Sequence, residues 1–540
     1  MTTPAPRANL PTHHVENQPP ARGDLDLWGN DLPLREAIAR EGVQPDGLAD
    51  FGASLGRSEM REAARDANRH SPELRLFDAG GRRLDEIHFH PAYHQFLQTG
   101  IEAGYCAIAW DGTAGGHTAH AAMVYLASQI EPGTCCPMTM SYAAYPALAN
   151  DPELASIWQP KLTSRHYDPR VLPVTEKMGA TLGMAMTEKQ GGSDVRANAT
   201  RAEKMDDHYR LTGHKWFCSA PMSDGFLTLA QSEAGLSCFL VPRWLEGERN
   251  AIRIQRLKDK LGNRANASAE IEYEGAMAYL LGEEGRGIAT IIEMIHHTRL
   301  DTAIAPAGLM RAAIGEAHHW ATHRAAFQRR LIDQPLMRAV MADLALDWEG
   351  ALVLGLRVAR AFDGTTPEDR AFARIGVALA KYLSNKRCPV VTYEAMEVLG
   401  GSGYVEDSVM PMLYREAPLN GIWEGSGNVI CLDILRTLAR EPLAGEVLQA
   451  ELTAATGTDP RYDAALQAHR QRWPALPPEA EARWFAEQLA LLLSASLLIR
   501  HAPASIADAF VATRLAGEAG RTTGAMAGAD VSPILARIAG

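Results

Sequence analysis

The chain has 540 residues, of which 46% are hydrophobic, and its formal net charge is −12. This composition is too apolar for a disordered chain, and the length suffices for several domains. The acidic balance argues against attraction of nucleic acid by the global field, although a local basic patch is compatible with it. No apolar run approaches the roughly 20 residues of a membrane span, so we expect no membrane partner.

The cysteines and histidines predict no metal site. Seven cysteines occur without a Cys-x-x-Cys pair or zinc-type spacing. The first residues also lack the charged and apolar blocks of a secretory signal, so we expect reduced thiols and a cytoplasmic location. His88, His90 and His94 have a spacing that fits no standard site, and structural roles are the better interpretation.

The order of predicted elements indicates an α+β fold in segregated layers. A helix is predicted over 31–40, where Asp and Pro precede helical periodicity. Short strands bounded by Gly, Asp, Asn and Pro then predict an antiparallel β-barrel, and a long helix with one apolar face follows around 337–352. The predicted domains are an N-terminal helical domain (1–180), the barrel (181–285), a helical bundle (286–440) and a further helical domain (441–540).

Two middle segments predict strand ends that converge on one flat, phosphate-bearing ligand. In the first, Met184 to Asp194, Gly191 and Gly192 would let the backbone approach a pyrophosphate while Ser193 donates to it. The second, Gly213 to Ser219, offers an apolar wall with donors at its edge, as a flavin requires. Each segment alone is equally compatible with a polar loop or ordinary strand core.

A third segment, Ile422 to Asn428, places Glu424 between Trp423 and Gly425. A glutamate beside an aromatic residue is usually a solvated surface charge. If Glu424 is buried, however, its pKa rises toward the working pH, as a general base needs. The chemistry it would serve is removal of the α-proton from an acyl thioester. No G-x-G-x-x-G occurs in a βαβ context, which argues against a Rossmann nicotinamide enzyme.

These segments resemble the acyl-CoA dehydrogenase superfamily over nearly the whole chain. The resemblance is closest to its AidB branch, flavoproteins linked to the bacterial adaptive response to DNA alkylation. Lys189-Gln190, the extra C-terminal helical block and the string Trp-Glu-Gly-Ser-Gly-Asn indicate that branch. The motifs that carry the resemblance are 186–195, 213–217, 256–264, 394–404 and 422–428.

The resemblance implies bound FAD, a homotetramer and a catalytic base at Glu424. Arg324 and Phe327 match an Arg-x-x-Phe motif that reaches FAD across a subunit interface. The implied cofactor-binding residues are Met184, Met186, Thr187, Gly192, Ser193, Phe217, Cys218, Ser219, Arg324, Phe327, Ile422, Trp423, Gly425, Ser426 and Asn428. Trp423 replaces a smaller Tyr and could narrow the acyl channel, so the base can be present while acyl-CoA turnover is weak.

The resemblance also implies non-specific binding of double-stranded DNA, for which Arg436 and Arg440 are the candidate residues. Residues 440–540 contain 9 Arg, no Lys and 11 acidic residues, a balance that weakens this expectation. Two alternatives therefore stay open. One is an ordinary dehydrogenase for a short or branched acyl-CoA, and the other is a DNA-protecting flavoprotein without physiological turnover. The last domain can equally be an oligomerisation element.

Overall fold

The computed structural model describes residues 6–43, 47–526 and 530–539. Its N-terminal region is helical, with one β-hairpin. Asp31 caps the first helix by accepting a hydrogen bond from the Leu34 amide, as the sequence predicts. The hairpin was not predicted, because its two strands are short and mostly polar. The elements are α1 Leu32–Arg40, α2 Leu48–Gly56, α3 Ser58–Arg69, β1 Glu73–Phe77, β2 Arg83–His88, α4 Pro91–Ala103, α5 Gly116–Ser128, α6 Pro132–Leu148 and α7 Pro152–Leu162.

The middle region is a β-barrel. Its strands are β3 Leu182–Ala185, β4 Arg201–Lys204, β5 Tyr209–Ser219, β6 Gly225–Ser232, β7 Gly235–Pro242, β8 Trp244–Leu245, β9 Glu248–Arg249, β10 Ile252–Leu257 and β11 Ser268–Leu281. The ring closes through β11, β5, β4, β6, β7 and back to β11. A barrel was predicted, but a wholly antiparallel one was wrong: β3 and β4 both run parallel to β6. Alternating burial identifies a strand without fixing the direction of its neighbour.

A helical bundle follows the barrel. Its elements are α8 Gly287–His323, β12 Ala325–Ala326, β13 Arg329–Arg330, α9 Pro335–Asp363, α10 Pro367–Val398, α11 Gly401–Tyr404, α12 Met410–Glu416 and α13 Gly427–Arg440. On α9, the predicted apolar face is buried at Met341, Leu344, Trp348 and Leu352. Short 3-10 helices lie at Val174–Glu176, Val195–Ala197, Leu331–Asp333, Leu419–Gly421 and Glu479–Glu481.

The last helices share the core of the bundle. They are α14 Pro442–Thr453, α15 Pro460–Arg472, α16 Ala482–His501, α17 Ala504–Arg514 and α18 Ser532–Ala539. One hydrophobic cluster contains Leu492 of α16 together with Trp348 of α9 and Leu379 of α10. From α18, Arg537 forms ion pairs with Glu349 and with Glu36 of the N-terminal region. This C-terminal block is therefore fastened to both helical regions.

Within the described residues, one helical stretch is long and apolar enough to cross a membrane by length and composition, Glu479–His501. Its most apolar window is 72% buried inside the protein. The sequence predicts a buried helix at 489–499, and the packing of α16 matches that interpretation.

Candidate active site

The two middle segments meet as the sequence predicts. The Trp216 amide on β5 donates to the Thr187 carbonyl at 2.7 Å. Two residues further along the loop, the Lys189 amide donates to Nε2 of His214 at 3.0 Å. The loop after β3 therefore lies directly against β5.

A buried ion pair anchors this loop beneath its exposed face. Nζ of Lys215 donates to Oε1 of Glu188 at 2.8 Å and to the Leu229 carbonyl at 2.8 Å. The Glu188 carboxylate also accepts from the amides of Ala199 and Thr200, at 2.6 and 3.2 Å. One carboxylate thus fixes both ends of the loop 187–200.

The face of the loop above that pair is open. Gly192 and Ser193 are exposed, and Thr187 is half-buried. A Cβ at Gly192 would lie 2.4 Å from Oγ1 of Thr187, so only glycine lets the two approach this closely. On β5, Phe217 is 48% exposed, Cys218 is buried, and Oγ of Ser219 lies 3.3 Å from Oγ of Ser268. This surface combines an uncovered aromatic ring with hydroxyl and amide groups.

Glu424 occupies a strained turn between the 3-10 helix 419–421 and α13. Its φ of 56° is left-handed, which costs an ordinary residue roughly 1–2 kcal/mol. Two cations from different helices hold the turn. Nε of Arg299 on α8 donates to the Glu424 carbonyl at 3.1 Å, and Nζ of Lys381 on α10 donates to the Trp423 carbonyl at 3.0 Å.

The electrostatics of Glu424 suit a base. Burial raises the pKa of its carboxyl, while the polar Thr298 hydroxyl and the charges of Lys381 and Arg299 oppose that rise. Burial and the Glu424 charge act in opposite directions on Lys381, and burial dominates, lowering the pKa of the ammonium to about 7. Asp433 accepts from Arg299 at 2.8 Å and so fixes the guanidinium.

Cys136 on α6 connects Glu424 with the barrel surface. Burial raises the pKa of its thiol to about 12; the Glu424 charge adds to that rise, and Lys260 and Ser219 oppose it. Met184, Met186 and Trp423 pack on the hydrophobic cluster that contains Cys136. The structure thus brings parts of all three sequence segments to one place.

The rest of the 422–428 segment is more open. Ile422, Ser426 and Asn428 are exposed, and Gly425 has a left-handed φ of 102°. Oδ1 of Asn428 accepts from Arg483 of α16 at 3.1 Å, a contact with the C-terminal block.

Arg324 and Phe327 do not join this site within one chain. They lie just beyond the end of α8, about 25 residues or roughly 37 Å along the helix from Arg299. Arg324 donates to the Asn17 carbonyl at 2.6 Å. Phe327 is 92% exposed, with a left-handed φ of 53°.

The candidate DNA-binding arginines project from the last turns of α13. Arg436 and Arg440 are exposed and one helical turn apart. Arg436 lies 3.8 Å from the buried carboxylate of Asp433. In the last helices, Arg461, Arg472, Arg500, Arg514 and Arg537 also lie in ion pairs with acidic residues.

Sequence reasoning missed the residues that support Glu424: Thr298, Arg299, Lys381 and Asp433. A signal existed for Lys381, a lone lysine inside the apolar run 375–383. The other three lie in mixed polar stretches and gave no such signal. Across residues 6–43, 47–526 and 530–539, no group of three or more His, Cys, Asp and Glu residues is arranged to hold a metal ion.

Three protein-family models match the chain. Their descriptions are adaptive response protein AidB N-terminal domain (residues 17–169), acyl-CoA dehydrogenase middle domain (183–276) and acyl-CoA dehydrogenase C-terminal domain (285–439).

Individual relatives agree with these matches. The acyl-CoA dehydrogenase homologue AidB of Escherichia coli (strain K12) is 45% identical over 507 residues, 92% of this chain and 94% of that protein. The structure of Caenorhabditis elegans ACDH-11 in complex with C11-CoA has a TM-score of 0.82 at 27% identity, covering 93% of both chains. A Bacillus anthracis acyl-CoA dehydrogenase complexed with FAD shares the fold, with a TM-score of 0.68 at 16% identity over 92% of this chain and 87% of that one.

Proposed function

Because the chain belongs to the AidB branch of the acyl-CoA dehydrogenase family, whose cofactor is FAD, we propose that it is a flavin-dependent oxidoreductase with weak activity on acyl-CoA thioesters. Glu424 is the base in this proposal. Glu424 would take the proton from carbon α, and bound FAD would supply the acceptor for the hydride of carbon β, so that a double bond could form between the two carbons.

The residues of the site suit that cofactor. An isoalloxazine ring is flat and apolar with a polar edge, and Phe217 and Met186 offer apolar surface beside the hydroxyls of Thr187 and Ser219. The exposed Gly192 and Ser193 present amide groups to a pyrophosphate. We propose that these residues, with Met184 and the 422–428 segment, hold FAD.

The chain's own residues prepare Glu424 for proton removal. Arg299 and Lys381 donate hydrogen bonds to backbone carbonyls of the turn and not to the Glu424 carboxylate. The carboxylate is left free to accept the α-proton. Because its pKa is raised, the rate should increase as pH rises through that pKa and the carboxyl ionises.

The observation that carries the proposal is Glu424 on a strained turn whose carbonyls accept hydrogen bonds from Arg299 and Lys381. The test is anaerobic bleaching of the bound flavin by a panel of acyl-CoAs. Since ACDH-11 was crystallised with C11-CoA, the panel should include a chain of that length beside short and branched ones. We expect Glu424→Gln to slow bleaching by roughly 10²–10⁴-fold without loss of flavin, because an amide cannot accept the proton.

The matched control is Glu203→Gln on the exposed face of β4, which should bleach like the parent protein. Bleaching of Glu424→Gln at the parent rate would place the base elsewhere. Rapid turnover of one short or branched acyl-CoA would favour an ordinary dehydrogenase. An absence of bleaching with every member of the panel would favour a DNA-protecting flavoprotein without turnover.

Two further parts of the proposal concern assembly and DNA. We propose a homotetramer in which Arg324 and Phe327 reach the FAD of a neighbouring subunit, supported by their distance from Glu424 within one chain and by the exposed ring of Phe327. For the alkylation response we propose weak, non-specific binding of double-stranded DNA. The exposed pair Arg436 and Arg440 supports it, since several arginines of the last helices are neutralised by close ion pairs, whereas Arg436 makes one long contact of 3.8 Å with Asp433.

A further inference from the structure

Lys381 is a buried cation without a carboxylate partner at ion-pair distance among the described residues. It lies in the middle of α10 and is 1% exposed. Its Nζ donates to the carbonyls of Asn420, at 2.5 Å, and Trp423, at 3.0 Å. Burial of an ammonium group is costly unless it is well paired. A purely structural clamp on two neutral carbonyls would not need a charge.

The charged groups around Lys381 explain why a cation is tolerated there. Glu424 faces it from the turn, Arg299 from α8 and Lys386 from α10 itself. Arg299 is already committed to Asp433 and to the Glu424 carbonyl. Around Glu424, the other neighbours are Thr298 on α8 and the thiol of Cys136 on α6. Glu424 is therefore the one anion among the neighbours that act on Lys381.

We propose that Lys381 is a positioning residue for Glu424: its ammonium group fixes the 420–424 turn and stabilises the ionised form of the carboxyl. This inference rests on the proposed role of Glu424 as the base. Lys381 touches the backbone of the turn and takes no proton from the substrate. It acts through geometry, by holding two carbonyls, and through charge, by favouring the carboxylate.

The pH profile of flavin bleaching separates the geometric effect of Lys381 from its electrostatic effect. Lys381→Met removes the charge and keeps most of the apolar stem. An opposite charge nearby lowers the pKa of a carboxyl by about one unit or more. The ascending limb of flavin bleaching should therefore move to higher pH by about one unit or more in Lys381→Met, with a rate that partly recovers in alkali. Lys204→Met, on the exposed β4, removes the same charge elsewhere and should leave the profile unchanged.

A second variant isolates the charge. Lys381→Arg keeps a cation that does not titrate below about pH 12, so its ascending limb should stay closer to that of the parent than to that of Lys381→Met. If Lys381→Met lowers the rate equally at every pH, the lysine serves only to hold the turn, and the electrostatic part of the proposal is wrong.

Thermal unfolding tests the pair without any turnover. Lys381→Met, Glu424→Gln and the double variant form a cycle in Tm, measured at neutral pH and at about pH 9, where the lysine has lost its proton. We expect non-additive Tm shifts at neutral pH that become additive in alkali. Additive shifts at both values would overturn the coupling between Lys381 and Glu424.

A failure of the proposed function can be distinguished from a failure of the inference about Lys381. If no acyl-CoA bleaches the parent flavin, the proposed function fails while the Tm cycle still decides whether Lys381 stabilises the Glu424 carboxylate. If Lys381→Met does not fold, the Tm values of Lys381→Arg and Glu424→Gln test the inference instead. Between about pH 7 and 10 the Tm of the parent should rise as the buried ammonium loses its proton, and Lys381→Arg should lack that rise. An identical pH dependence of Tm in both proteins would contradict the inference.

Discussion

The side chain of Trp423 is fixed more firmly than its sequence suggests. Nε1 of its indole donates to Oδ1 of Asn420 at 2.8 Å, and the ring packs on the cluster that contains Cys136. If its bulk narrows the acyl channel, Trp423→Tyr should raise kcat/KM for acyl-CoA, because a smaller ring opens space beside Glu424. The measurement is the steady-state rate with each acyl-CoA at equal flavin content.

Trp484→Tyr on α16 is the matched control, since that ring is exposed and belongs to the C-terminal block. Unchanged kinetics of Trp423→Tyr with flavin still bound would show that the ring does not limit entry. A fall in rate would instead assign the Asn420 hydrogen bond a role in ordering the turn.

At this scale the sequence indicated Glu424 but not what supports it. Local context singles out a glutamate beside Trp and two glycines, because these residue types are unusual together. Arg299 and Lys381 reach the same turn from helices more than 40 residues away in sequence. Such contacts depend on how α8 and α10 pack, which no local pattern encodes. A lone lysine in an apolar run is the nearest available signal.

The loop 187–200 depends on one buried ion pair, Lys215 with Glu188. Burial raises the pKa of the Glu188 carboxyl, but Lys215 and the Ala199 and Thr200 contacts bring it down to about 2. Removal of one member of a buried pair typically costs about 3–5 kcal/mol because the other charge is left uncompensated. Lys215→Met should therefore lower the free energy of unfolding by about that amount and weaken retention of FAD.

The pH dependence follows from the direction of the shift. The folded-state pKa of Glu188 is depressed, so its contribution is present above the unfolded-state value and lost as pH falls toward 2. Chemical unfolding at neutral pH and at about pH 3 should show a smaller acid dependence in Lys215→Met. Lys204→Met, one strand away and exposed, should behave like the parent protein. An unaltered acid dependence in Lys215→Met would show that the pair does not anchor the loop.

Secondary structure was predictable where periodicity is strong. The face of α9 and the strand β5 appear in the sequence because burial recurs with a fixed period, and β6 and β7 appear as short apolar runs. The sequence did not predict that β3 and β4 pair in parallel with β6. It also did not predict the hairpin β1–β2. Pairing direction depends on the path of the connecting loop. The loop 187–200 is held by the Glu188 ion pair in addition to the turn in which the Gly191 amide donates to the Glu188 carbonyl at 3.0 Å.

The exposed ring of Phe327 bears on how the subunits assemble. The ring is 92% exposed in the turn of the short hairpin β12–β13, so a neighbouring subunit could contact it. If it seats against a neighbouring subunit, Phe327→Asp should reduce both the tetramer fraction and FAD retention. Light scattering after size exclusion and the flavin-to-protein absorbance ratio measure these two quantities. Phe77→Asp, an exposed aromatic on β1, is the control; a fully assembled, yellow Phe327→Asp protein would contradict the inter-subunit role.

Charge over the whole molecule decides how DNA binding can be tested. The net charge of −12 repels phosphate, so any attraction must come from a local surface such as Arg436 and Arg440. Deletion of the C-terminal block is a poor test, because α16 belongs to the common core and Arg537 is tied to Glu349 and Glu36. Point variants preserve the fold. The pair Arg436→Ala and Arg440→Ala should weaken binding of duplex DNA while flavin content stays constant.

Salt dependence provides the quantitative check. Each phosphate neutralised on duplex DNA contributes about 0.9 to the slope of log affinity against log salt concentration. Loss of two contacts should reduce that slope by about 1.8 in gel-shift titrations at several salt concentrations. Arg82→Ala, in the turn of the hairpin β1–β2, removes one positive charge elsewhere and should leave the slope unchanged. An unchanged slope in the double variant would move the DNA surface away from α13. If the parent protein retains no DNA even at low salt, the DNA role is wrong for this chain, and the C-terminal helices then serve the bundle and its assembly.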